Sequence, residues 1–160
     1  MQSASIRFAR ADDARAIHGL IAELADFERL TDLLVATPES LRDALAGDTP
    51  RVECLVAERD GVVVAYALFF HNYSTFLGRR GLYLEDLYVS PAARRAGLAT
   101  ALLRKLAAIA VERRCARFEW TVLDWNTAAI AFYESLGATV LPDWRVVRMT
   151  GDALTAFAQP

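Results

Sequence analysis

The chain has only two cysteines among 160 residues, Cys54 and Cys115. They lie far apart in apolar surroundings, which points to free buried thiols and away from a disulfide framework or a nucleophile. Histidine is as scarce, with His18 and His71 alone. Neither stands in a ligand spacing with Cys or Asp, so no metal site is expected. Basic excess is also missing. A net charge of -2 argues against a nucleic-acid partner. The longest apolar stretch, Gly61 to Phe70, is too short to cross a bilayer, so no membrane partner is expected. The amino-terminal MQSASIRFARADD has no hydrophobic signal core, and the cytoplasm is the expected compartment. Repeats, low-complexity tracts and linkers are absent too. What is present is a 54% hydrophobic, 24% charged chain, fitting a single domain over residues 1–160 with a sizeable core.

Read in order, Ser5 to Arg10 alternates as a first strand. Asp12 or Asp13 can cap a helix whose apolar stripe is Ile17, Leu20, Ile21 and Leu24, ending near Phe27-Glu28. Thr37-Pro38-Glu39 starts a short second helix, closed at Gly47. Val52 to Arg59 and Val62 to Phe70 form a hairpin around Asp60-Gly61. The polar stretch Asn72 to Gly81 is expected as a loop before the central strand.

The rest of the chain is organised around Tyr83 to Ala108, YLEDLYVSPAARRAGLATALLRKLAA. An apolar, β-favouring run holds two acids, Glu85 and Asp86, and Ser90-Pro91 ends it. From Leu98 the apolar residues Leu102, Leu106 and Ile109 recur at helical spacing. Between strand and helix lies the turn Arg94-Arg95-Ala96-Gly97-Leu98-Ala99. A helix start offers free N–H groups and the positive end of its dipole, which suits a phosphate. Gly97 permits close backbone approach, and the two arginines add charge. The turn is neither a Walker loop nor a Rossmann fingerprint, because the Gly-Lys-Ser/Thr ending and further glycines are missing. Beyond the helix, Arg117 to Val122 reads as a strand. Asn126 can cap a following helix that carries Tyr133 two turns on and closes at Gly137. Trp144 to Met149 alternates as a last strand, and Gly151 to Phe157 is a terminal helix.

LYLEDLYV followed by ARRAGLAT resembles the pyrophosphate-binding segment of the GNAT acyl-CoA N-acyltransferases. Asp124-Trp125-Asn126 and Phe132-Tyr133-Glu134-Ser135-Leu136-Gly137-Ala138 resemble that fold's carboxy-terminal half. Within the family, the pattern is similar to the branch of diamine (spermidine/spermine) and thialysine-type acetyltransferases. The resemblance runs from about Ile6 to Phe157. It implies an α/β (mixed α+β) GNAT fold with a central mixed, mostly antiparallel sheet flanked by helices. It also implies acetyl-CoA as co-substrate, a small-molecule amine as acceptor and a homodimer.

Acetyl transfer to an amine makes three demands: hold the pyrophosphate, deprotonate the amine and protonate the leaving thiolate. The second is real, since an alkyl ammonium of pKa ~10.4 is only about one part in a thousand neutral at pH 7. By resemblance, the turn Arg94, Arg95, Ala96, Gly97, Leu98, Ala99 and Thr100 binds the pyrophosphate. The backbone of Leu87, Tyr88 and Val89 pairs with the pantetheine arm, and Asn126 bonds that arm. Glu85 accepts the amine proton through a water, and Tyr133 gives one to the thiolate. Phe27, Glu28, Glu85, Glu119, Trp120 and Thr121 line the acceptor side. On a regular strand Glu85 and Asp86 point to opposite faces, and Asp86 is expected as a structural acid paired with an arginine. Polyamine-specific members carry an acid and, two residues on, a tryptophan in the loop before the central strand. Here Ser74 and Phe76 stand there, which resembles the thialysine-type relatives and favours a short primary amine. A polyamine acetyltransferase, an acyltransferase for peptide or protein amines, and a non-catalytic CoA-binding module are the rivals.

Overall fold

The computed structural model describes residues 4–160, which divide into two compact units meeting between Thr121 and Val122. The first unit carries β1 (Ser5–Phe8), α1 (Ala14–Phe27), α2 (Pro38–Leu45), β2 (Glu53–Arg59), β3 (Val62–Ser74), β4 (Arg79–Val89), α3 (Leu98–Glu112) and β5 (Phe118–Glu119). The second carries α4 (Thr127–Ser135) and α5 (Gly151–Phe157). Among the described residues, no helix is long and apolar enough to cross a membrane.

The strands form one sheet in the order β1-β2-β3-β4-β5. The first three pairings are antiparallel and β4–β5 is parallel, so the expected mixed, mostly antiparallel sheet is present. Period-two alternation sorts its side chains onto two faces. Cys54, Val56, Tyr66, Leu68 and Tyr88 pack with Ala14, Ile17 and Leu20 of α1 and Leu41 of α2. Residues of the other parity, among them Leu55, Ala67, Phe69, Leu82 and Leu84, are buried on the opposite face. There α3 packs on β2, β3 and β4, burying Leu98, Leu102, Leu103, Leu106, Ile109 and Ala110. Each fully buried leucine contributes about 1.5–3 kcal/mol.

The local signals act as their chemistry requires. Thr37 Oγ1 accepts from Ser40 N at 3.1 Å while Ser40 Oγ accepts from Thr37 N at 3.0 Å, a reciprocal cap for α2. Asp60 and Gly61 both take positive φ, as the two-residue hairpin turn needs. Asp13 departs from expectation. It makes no side-chain cap to α1. Its carboxylate instead receives Arg7 in a forked pair at 2.8 and 2.9 Å, and Arg7 also reaches Glu58 at 2.7 Å. This guanidinium holds the Asp13 carboxyl below its ordinary range.

Three further expectations are corrected. Asn72 to Gly81 is not a loop: β3 continues to Ser74 and β4 begins at Arg79. The turn closes through Ser74, whose carbonyl accepts from Gly78 N at 2.9 Å and whose Oγ accepts from Leu77 N at 3.2 Å. The Arg117 to Val122 strand shrinks to Phe118–Glu119, because only Leu82 and Tyr83 of β4 pair with it. Trp144 to Met149 alternates but forms no strand. Its own unit contains no strand to pair with, and alternation without a partner does not make a sheet.

Candidate active site

The site begins with a defect in the sheet. Along β3–β4, Leu68 pairs with Asp86 and Phe69 pairs with Leu84. Two neighbours on β3 thus face residues two apart on β4, and Glu85 is the extra residue of a β-bulge. Leu84 and Leu87 oppose Phe69 and Ala67 on the α3 face. Glu85 and Asp86 both fall between them, so the bulge keeps the two acids together on the α1 side. The expected split onto opposite faces is therefore corrected: alternation fails where one strand carries one residue too many.

Asp86 is not paired with an arginine. Its carboxyl is pushed up to about 6, first by burial, then by the charges of Glu85 and Glu28, with the Tyr66 hydroxyl opposing the rise. Tyr66 is itself fully buried, and burial raises its phenol, helped by Asp86. Glu28, at the end of α1, is half-buried, and desolvation raises its carboxyl. Three carboxyl groups from α1 and β4 thus share one electrostatic environment, without a basic residue among the causes of these shifts. Such a cluster attracts a cation, and burial with the neighbouring charges disfavours ionisation of Asp86.

Just before the bulge, β4 parts from β5. Their ladder is Leu82–Phe118 and Tyr83–Glu119. Ser90 N donates to Val64 O at 2.9 Å, toward β3. By alternation the N–H groups of Val89 and Leu87 point the other way, along the edge where β5 has ended. The edge runs into the turn before α3. There Arg95 and Gly97 both take left-handed φ, +62° and +72°. No side chain caps α3, so the first-turn N–H groups of Leu98, Ala99 and Thr100 lack the usual intrahelical acceptors. A Cβ at Gly97 would stand in open space, with no atom within 4 Å. Open edge, uncapped helix start and the open space at Gly97 together fit a pyrophosphate with an extended arm.

Arg94 sits differently from its neighbours. Its Nε donates to Val89 O at 3.0 Å. Its guanidinium lies over Tyr88 at 5.4 Å and over Phe27 at 5.9 Å from the ring centroids. On β5, Glu119 is ion-paired to Arg117 Nε at 2.8 Å, and Trp120 packs its ring on Phe118 at 4.8 Å. Thr121 ends the first unit, exposed.

In the second unit, Asn126 caps α4, its Oδ1 accepting from Ala129 N at 3.2 Å. Gly137, at φ +92°, ends the helix. Gly137 N donates to Glu134 O at 3.0 Å and Ala138 N to Tyr133 O at 3.2 Å, the two bonds of a Schellman stop. Tyr133 lies in this last turn, its ring 5.5 Å from Phe132.

Sequence reading missed Asp86 and Tyr66 as members of the acidic site, and missed Arg94 as a stacking group. An unpaired acid in an apolar run was the available signal for Asp86. Nothing local could place Tyr66, which comes from the neighbouring strand.

Comparison with known proteins supplies the rest. Residues 18–138 match the Acetyltransferase (GNAT) family. The chain is 38% identical to the thialysine N-epsilon-acetyltransferase of Mus musculus, over 99% of each chain. It is 35% identical to the L-ornithine N5-acetyltransferase NATA1 of Arabidopsis thaliana, over 95% of this chain and 86% of that one. Among solved structures, a V. cholerae integron cassette protein superposes with a TM-score of 0.83 at 25% identity over the whole of both chains. On the family match and these full-length likenesses, the chain belongs to the GNAT family of acetyltransferase enzymes.

Proposed function

We propose that this enzyme moves an acetyl group from acetyl-CoA to a small primary amine. The observation that carries the reading is the bulge at Glu85, which sets an acidic cluster beside an open strand edge. The relatives named for thialysine and L-ornithine support an acceptor of this size. The family match from 18 to 138 spans the border between the two units, which supports residues 1–160 working as one domain. A homodimer is inferred as well; light scattering should give about twice the 17.7 kDa of one chain, and a monomer mass at micromolar concentration would refute it.

When bound, acetyl-CoA supplies the activated acetyl thioester. The first-turn N–H groups at Leu98, Ala99 and Thr100, with Ala96, Gly97 and the charge of Arg95, hold its pyrophosphate. The N–H groups of Leu87 and Val89, on the strand containing Tyr88, bond its extended arm, and Asn126 assists. Glu28 and Asp86 attract the ammonium form of the acceptor. Glu85 takes the amine proton through a water. Tyr133 Oη supplies the proton to the departing sulfur. Phe27, Trp120 and Thr121 line the acceptor side with Glu119.

The decisive test is acetyl-CoA turnover against free amines: thialysine, ornithine, lysine, putrescine, spermidine and spermine. Turnover highest for a short amine supports the reading. CoA binding without turnover of any amine overturns it in favour of a non-catalytic binding module.

A further inference from the structure

The guanidinium of Arg94 contacts three groups of the protein. Its Nε–H holds Val89 O, which fixes the side chain against the end of β4. Its plane then bridges Tyr88 of β4 and Phe27 at the end of α1. Burial and then the Glu23 carboxylate of α1 raise the Tyr88 phenol, with Arg94 opposing the rise. Phe27 is followed by Glu28, whose backbone N–H already closes on Leu24 O at 2.9 Å. After it, Arg29 takes a left-handed φ of +59°, so α1 can go no further. Ile21 and Leu24 pack the helix against the sheet, and beyond them Arg94 joins its last turn, beside Glu28, to β4. Stacking over two aromatic rings favours a planar guanidinium over a point-charge ammonium.

We infer that Arg94 is a positioning residue for the acceptor side, fastening Phe27 and Glu28 to β4, and that its side chain is not a phosphate ligand. This rests on the acceptor reading above and assigns the turn's charge toward phosphate to the neighbouring Arg95. The two roles predict different variants. A phosphate ligand tolerates lysine, which keeps the charge; a stacked, Nε-bonded pin does not.

The test uses full-length Arg94→Lys and Arg94→Gln proteins, with melting curves to show that both fold. Calorimetry reads CoA affinity, hydrogen exchange reads the amides of Glu28, Arg29 and Leu30, and steady-state assays read the amine KM. Positioning predicts exchange about tenfold faster at those three amides in both variants. It also predicts an amine KM raised about tenfold, a kcat within about threefold and a CoA affinity within about twofold of wild type. A tenfold loss of CoA affinity in Arg94→Gln that Arg94→Lys restores overturns the inference, as does unchanged exchange at the three amides. Wild-type turnover is the separate control. If the wild type acetylates no amine, the acceptor reading falls, while exchange and CoA affinity still decide where Arg94 acts.

Discussion

At the scale of single residues, Asp86 carries the clearest pH signature. Its ordinary value lies near 3.8, and the fold raises it to about 6. Below about pH 3 the group is protonated in both folded and unfolded chains. As pH climbs, the unfolded chain ionises first, so folding loses stability across the window from about 4 to 6. The full gap corresponds to about 3 kcal/mol. Asp86→Asn should therefore melt several degrees above wild type at pH 8 and close to it at pH 4. A melting difference that stays constant from pH 4 to 8 would show that the carboxyl is not strained. Tyr133 permits a second test. Tyr133→Phe removes one hydroxyl and keeps the ring on Phe132, so the fold should be unchanged while kcat drops about 10²–10⁴-fold. An unaltered kcat, with chemistry shown to be rate-limiting, would leave Tyr133 as packing. Glu85 was legible as a useful acid because a charge inside an apolar strand is costly unless employed. Its alliance with Asp86 was not, because a bulge is a property of two strands in register and leaves no mark in one.

At the scale of elements, the helices read best. The apolar stripes, the Thr37-Pro38 cap, Asn126 and Gly137 are local chemistry, and α3 and α5 begin and end close to where that chemistry places them. The strands read less well, since pairing decides where they stop. Asn72 to Gly81 looked like a loop, yet cross-strand pairs such as Asn72–Gly81 carry β3 and β4 through most of it. At Gly81 an added Cβ would overlap Asn72 Oδ1, so the Asn72 side chain would have to move aside. Gly97 is the reverse case: its surroundings are open and only its φ is demanding. Gly97→Ala should therefore cost about 1–2 kcal/mol from the left-handed backbone alone. If phosphate lies there, CoA affinity should drop further than this strain explains. Arg95→Gly separates the two effects. It relieves a left-handed non-glycine while removing one cation, so the protein should melt no lower and bind CoA only modestly more weakly. Equal CoA affinity in Gly97→Ala and wild type would place the phosphates elsewhere.

For the molecule as a whole, the distribution of acids bears on the proposed acceptor. A long polyamine carries ammonium groups along its length and needs carboxylates spaced to match. Here Glu28, Glu85 and Asp86 crowd one place, where α1 ends against the bulge of β4. The hairpin tip offers no further acid: Ser74 is 6% exposed with its hydroxyl used in the turn, and Phe76 is fully exposed. Glu85 lies six steps of strand beyond Arg79, roughly 20 Å of extended chain. The tip therefore lies well away from the acidic cluster of its own chain. A short amine can place its reacting nitrogen at Glu85 and one further positive group at Glu28. Spermine would leave its outer ammonium groups without partners, each worth about 1 kcal/mol or more. We expect kcat/KM for thialysine, ornithine or putrescine to exceed that for spermine by about tenfold. Glu28→Gln then identifies the cause. It should raise KM about fivefold for acceptors with a second positive group and leave a simple monoamine unchanged. Equal KM increases for both kinds of acceptor would mean that Glu28 shapes the site without reading charge, and a spermine kcat/KM above every short amine would sink the assignment itself.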